Sequence, residues 1–165
     1  MPNNELKTLS PEQTSKNELD QFIALVTEGG EVTKGLKSRV MRAHSLTMIN
    51  HDGKIQAVAA LKIPYNSYRK KVFKKSGCQE CPETFTYEIG WIYVSPSCRG
   101  MKYASHLVSA CLEQAGRSPT FATTRTENKS MQHILKKEGF SICGKPYPST
   151  QSTESEVNLL VWRKF

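Results

Sequence analysis

The sequence has no apolar run approaching the ~20 residues that a membrane-spanning helix requires. Its first residues are polar and lack the apolar region of a signal peptide. Both absences lead us to expect a cytoplasmic protein that does not enter a membrane. Cysteine is sparse and odd in number, at five. An odd count favours free thiols in a reducing compartment over a disulfide framework. Cys78-Gln79-Glu80-Cys81 is a lone C-x2-C, and a structural zinc needs a second pair of ligands. Cys98, Cys111 and Cys143 are scattered, and His44, His51, His106 and His133 lack ligand spacing. We therefore expect no metal, and free thiols ahead of a redox pair. No internal repeat is visible. A chain of 165 residues fits one domain with a sizeable core.

What is present is positive charge. The net charge is +8, which suits an acidic partner as small as a nucleotide cofactor or as large as RNA, or simply a soluble basic protein. Arg69, Lys70, Lys71, Lys74 and Lys75 crowd the segment after Lys62, with no acidic residue among them. They read either as an electrostatic platform for an acidic acceptor or nucleic acid, or as a solvated cationic loop. Tyr68 and Val72 lie four apart, so a short amphipathic helix fits here.

Along the chain, residues 1–15 read as a loose tail, or as a first strand around Leu6 to Leu9 before a turn at Ser10-Pro11. Leu19, Phe22, Ile23 and Val26 predict a helix over Asn17 to Glu28, ended by Gly29-Gly30. Thr33 can cap a second helix containing Leu36, Val40 and Met41. Ser45 to Asn50 and Lys54 to Lys62 predict a hairpin around His51-Asp52-Gly53. Asn158 to Arg163 reads as a last strand.

The chain is organised around Tyr87 to Leu107. Tyr87 to Val94 is nearly all apolar and predicts a central strand buried on both faces. Pro96 ends it. Arg99-Gly100 opens a short loop, and from Tyr103 the period turns helical, with Ala104, Leu107, Val108, Cys111 and Ala115 on one face. A basic loop entering a helix N-terminus favours an anion, because free N–H groups and the helix dipole point there.

Arg99-Gly100-Met101-Lys102-Tyr103-Ala104 resembles the pyrophosphate loop of the GCN5-related N-acetyltransferases, in which Arg or Gln is followed by two residues, Gly, one residue, then Gly or Ala. Arg99 and Ala104 match, whereas Lys102 stands where the middle glycine is usual. Ala122 to Asn128 resembles the family's fifth strand with its Asn-headed helix, and Gly139-Phe140 the end of that helix. The resemblance implies a mixed α/β sheet in a single GNAT acyltransferase domain spanning residues 16–165. The basic segment at about 63–84 is then an insertion on the edge where acceptors generally enter.

It also implies an acetyl-CoA-dependent N-acetyltransferase acting on a primary amine by direct attack, with a small-molecule or protein acceptor, as monomer or homodimer. The loop Arg99, Gly100, Met101, Lys102, Tyr103 and Ala104 would hold the pyrophosphate. Ile92, Tyr93 and Val94 would offer backbone N–H groups to the thioester and pantetheine. Asn128 would bind pantetheine or cap its helix. If the loop requires a left-handed backbone at Lys102, lysine there costs about 1–2 kcal/mol. Glu88 is the candidate general base, because a carboxylate in an apolar strand is desolvated and its pKa should rise towards neutrality; pairing with a nearby lysine is the structural alternative. The family's usual acid, a tyrosine seven residues after the Asn, is here Leu135. Tyr93, Tyr103, His133 or water would replace it, or the thiolate would leave unassisted. Arg125 and Tyr147 are open candidates for the acceptor pocket. Two further readings remain: an acetyltransferase of aminoacyl-tRNA of the toxin type, and a non-catalytic module binding CoA or RNA.

Overall fold

The computed structural model describes residues 4–31, 33–150 and 154–163. The chain forms two compact units, residues 1–62 with 89–114, and residues 63–88 with 115–165. No described helix is long and apolar enough to cross a membrane.

β1 (Asn4–Leu9), β2 (Ser45–His51) and β3 (Lys54–Lys62) follow one another in the first unit, which also holds β4 (Tyr87–Val94) from Ile89 on. The first segment is thus a strand rather than a loose tail. β1 pairs antiparallel with β2 from Asn4↔His51 to Leu9↔Leu46. The β2–β3 hairpin turns through Asp52 and Gly53, whose φ angles of 52° and 84° are those a tight two-residue hairpin needs. Helix α1 (Lys16–Glu28) starts at a capping box: the Ser15 hydroxyl accepts from the Glu18 N–H, and the Glu18 carboxylate accepts from the Ser15 N–H. It buries Leu19, Phe22, Leu25 and Val26 against Leu46, Met48, Ile55 and Val58. Each such side chain contributes roughly 1.5–3 kcal/mol.

Helix α2 (Leu36–Met41) begins later than its sequence predicts. Gly35, with φ of 70°, is its cap, and Thr33 acts through its carbonyl, which accepts from the Leu36 N–H. A left-handed glycine reverses the chain there, which a threonine side-chain cap would not.

The second unit holds α3 (Asn66–Ser76), β5 (Thr120–Arg125), α5 (Lys129–Lys137), β6 (Ser141–Ile142), β7 (Tyr147–Pro148) and β8 (Glu156–Trp162). The first unit's α4 (Tyr103–Ala115) precedes β5. The first two residues of β4, Tyr87 and Glu88, pair in parallel with Thr120 and Phe121 of β5. β5, β6 and β7 each pair antiparallel with β8, so the sheet is mixed. The core is Val72, Phe73, Phe85, Phe121, Tyr147, Leu159 and Val161. The Phe73 ring lies 5.2 Å from that of Phe85 and 5.4 Å, edge-on, from that of Phe121, both favoured aromatic arrangements.

The expectation of free thiols is corrected here. Cys78 and Cys143 form a disulfide, with Cα atoms 5.2 Å apart and a sequence separation of 65. The C-x2-C spacing carries no signal of this, because Cys78 pairs with a distant cysteine and not with Cys81, which is free and exposed. The chains approach so closely that a Cβ on Gly144 would collide with the Ser76 carbonyl, and that carbonyl accepts from the Lys145 N–H at 2.7 Å. The disulfide also removes the cysteine argument for a reducing compartment.

Candidate functional site

β4 departs from the strand its composition predicts. Only Glu88 and Ile89 are buried, and Trp91 to Val94 are half-buried. A strand that is nearly all apolar is left partly open at its C-terminal end. Trp91 is left-handed, with φ of 54°, a conformation that costs a bulky residue of order 1–3 kcal/mol and breaks the regular pleat. Lys62 Nζ lies 4.4 Å from the Trp91 ring centroid, a cation–π contact. Tyr93 packs against α1: a Cβ on Gly29 would meet its ring at 3.0 Å. Burial and then the acidic Glu28 hold the Tyr93 phenol above its ordinary range.

The loop after β4 folds back on the strand end. Arg99 Nε donates to the Val94 carbonyl at 3.2 Å, and its guanidinium lies 5.7 Å from the Tyr93 ring centroid. Gly100 and Lys102 have φ of 87° and 64°. The position that usually carries glycine therefore does require a left-handed backbone, and this chain places lysine there. A Cβ on Gly100 would meet nothing within 4 Å, so that loop backbone stays open to an approaching group. The Lys102 carbonyl accepts from the His106 N–H at 3.2 Å, starting the helical bonds of α4. Met101 and Lys102 are exposed. Tyr103 is buried, with its hydroxyl 2.7 Å from His51 Nδ1, so its phenol is held inside the fold.

The second unit holds a separate cluster. Glu88 is only 3% exposed. Its carboxylate Oε2 accepts from the Tyr68 hydroxyl of α3 at 3.0 Å. Burial of that hydroxyl, then the charge of Glu88, push the Tyr68 phenol well above the ordinary tyrosine range, while a hydrogen bond from Thr123 on β5 acts the other way. Burial, and then Glu88, raise Tyr147 on β7 to about 12. A buried carboxylate is tolerable only with such partners. Tyr68 is a functional candidate that sequence reasoning placed only as a helical position, and no local pattern signals its reach to Glu88. Tyr147 was open in the sequence, and the structure brings it to Glu88. Arg125 is half-exposed and faces Glu127 at 3.9 Å.

Asn128 caps α5, its side-chain oxygen accepting from the Met131 N–H at 3.1 Å. Leu135 is buried in the core at 1% exposure. Of the basic cluster, Arg69 is turned inward onto Asn66 and the Pro64 carbonyl, and Lys70 lies 3.6 Å from Glu83. Lys71, Lys74 and Lys75 are exposed on α3. Among the described residues, no group of three or more His, Cys, Asp or Glu is placed to hold a metal.

A mixed sheet with flanking helices, whose fourth strand leads through a left-handed basic loop into a helix, is the architecture of acyl-CoA N-acyltransferases. Comparison agrees. A crystal structure of an acyl-CoA N-acyltransferase from Pseudomonas aeruginosa superposes with a TM-score of 0.70 at 15% identity, covering 97% of this chain and 99% of that one. Escherichia coli ElaA gives 0.72 at 14%, covering 98% and 100%. A GNAT family acetyltransferase from Elizabethkingia anophelis with acetyl-CoA bound gives 0.65 at 12%, covering 98% and 99%. No curated sequence matches significantly. The model of the acetyltransferase (GNAT) family matches residues 12–140, and the chain belongs to that family. Acetyl transfer is accordingly its general class of activity.

Proposed function

We propose that the protein is an acetyl-CoA-dependent N-acetyltransferase that acetylates a primary amine by direct attack from a ternary complex. The observation that carries this is the buried Glu88, which accepts from the Tyr68 phenol of α3 and lies on the strand that runs on to Tyr93 and the Arg99 loop. Loop amides from Gly100 to Ala104 bind the pyrophosphate, with charge from Arg99 and Lys102. The N–H groups of Ile92 to Val94 orient the thioester and stabilise the oxyanion. Asn128 contributes to pantetheine binding beside its capping role. Glu88 accepts the amine proton, directly or through a water. The amine nitrogen attacks the thioester carbonyl, the tetrahedral intermediate collapses to the amide, and the CoA thiolate leaves and takes a proton, from Tyr93 or from solvent. Cys98 and Cys111 are buried, and burial lifts the Cys111 thiol to about 12, so neither serves as a covalent acyl carrier.

Calorimetric titration with acetyl-CoA tests the reading. Micromolar binding by the wild type, weakened at least tenfold in Arg99→Ala/Lys102→Ala, supports it and justifies screening amines. Absence of binding removes the enzyme reading. The exposed Lys71, Lys74 and Lys75 favour one alternative, a polyanion-binding module. RNA affinity that falls steeply with salt, and is lost when these lysines are neutralised, would mark that function.

A further inference from the structure

We propose that Tyr68 is a positioning residue for Glu88, so that the inserted helix α3 belongs to the catalytic apparatus. This inference rests on the acetyltransferase reading above. Glu88 lies in a largely apolar strand, Tyr87–Val94, and is buried there. The donor comes from twenty residues upstream, where the Tyr68 hydroxyl donates to Oε2 at 3.0 Å. Thr123 on β5 partly offsets the upward shift of that same phenol. Tyr147 on β7 also feels the charge of this carboxylate. The donor and the acceptor of this bond therefore come from two different elements, α3 and β4.

A single strong donor does two things for a buried base. It fixes the carboxylate rotamer, and it satisfies part of the charge that burial would otherwise oppose. A phenol suits this place because it stays protonated at any working pH. It donates to the carboxylate without neutralising it, which a lysine would do. The anchoring of α3 matches the role. Val72 and Phe73 are buried in the core, and the disulfide at Cys78 ties the chain just past the helix to the segment leading into Tyr147. The two phenols thus stand on arms joined by one covalent bond.

The test combines a spectroscopic and a kinetic arm on the full-length protein. Tyrosine labelled with 13C at Cζ gives a resonance for each of the six tyrosines, and Tyr68→Phe identifies the one from Tyr68. That resonance is expected to shift in Glu88→Gln, with a smaller shift at Tyr147 and none at Tyr65 on the exposed approach to α3. An unmoved Tyr68 resonance overturns the proposal. In the kinetic arm, Tyr68→Phe is assayed with acetyl-CoA and the best acceptor from a panel of a diamine, a lysine peptide and a peptide with a free N-terminus. The expected result is a fall in kcat of tenfold or more, with KM for acetyl-CoA and for the amine within twofold of wild type. A kcat within twofold of wild type, whatever the resonance does, makes the contact merely structural and overturns the proposal while leaving the acetyltransferase reading intact. A wild type that binds acetyl-CoA but acetylates no amine in the panel overturns that reading, and the role of Tyr68 with it.

Discussion

The Arg99 loop and the Glu88 cluster are built in opposite ways. The loop is six consecutive residues, and its conformation is set by two left-handed positions and by one side-chain bond to the strand just before it. The cluster gathers Tyr68, Glu88, Thr123 and Tyr147, which span eighty residues of sequence, and no two adjacent residues contribute to it. A loop of the first kind can be altered without disturbing the rest of the chain. A cluster of the second kind exists only when a whole unit is folded, because every member is delivered by a different element.

If the two regions divide the work between holding a cofactor and moving a proton, variants should separate them. Glu88→Gln, isosteric and uncharged, is expected to lower kcat by about 10²–10⁴-fold, the usual worth of a general base, while calorimetric acetyl-CoA affinity stays within threefold. A parallel loss of affinity would merge the regions and break the comparison.

The next effect concerns the covalent tie of the second unit. Closing a loop of 65 residues stabilises by about 4 kcal/mol in the chain-entropy view. Cys143→Ser should lose stability of that order in urea unfolding. Reductant should lower the wild type alike and leave the variant unchanged. Equal response of both proteins to reductant would show that the bond does not form in solution.

Smaller is the correction available in the loop. Lys102 carries φ of 64°, so Lys102→Gly removes the left-handed penalty of roughly 1–2 kcal/mol, less what the freer unfolded glycine costs. A net gain of about 0.5–1 kcal/mol in thermal stability is expected. Acetyl-CoA affinity measured at rising ionic strength then shows whether the lysine also serves as a cation: a variant with a shallower salt dependence has lost a phosphate contact.

The smallest effect sharpens the electrostatic side. Tyr147 titrates at about 12 in the fold against 10.0 for the free phenol. The native state then holds a proton that the unfolded chain releases first, so the stability linked to this group is full below pH 10 and is lost as pH rises to about 12. Tyr147→Phe should flatten that alkaline limb. A limb of unchanged slope would assign it to the other groups that burial lifts, the Tyr68 phenol and the Cys111 thiol.

Much of this was legible from residues near one another in the chain. The α1 face, the Asp52-Gly53 hairpin, the strand ending at Pro96, the α4 period, the Asn128 cap and the family motif all rest on spacings of one to four residues, where backbone geometry leaves few choices. The α2 start was misplaced at Thr33 because a left-handed glycine competes with a side-chain cap, and both are plausible locally. The basic segment was open between loop and helix. Its charges hide a buried stripe of Val72, Phe73 and Ser76 that becomes meaningful only when Phe85 and Phe121 are there to cover it.

The sequence by itself thus determined most of the elements, the family and the basic loop after β4, because hydrophobic period, proline, glycine and capping act over a turn or a strand. Only the tertiary structure decided that Cys78 pairs with Cys143, that β4 is left half-open beyond Ile89, and that Tyr68 donates to Glu88. Those facts depend on which distant surfaces pack together, and packing is a property of the whole set of buried side chains that no short window of residues contains.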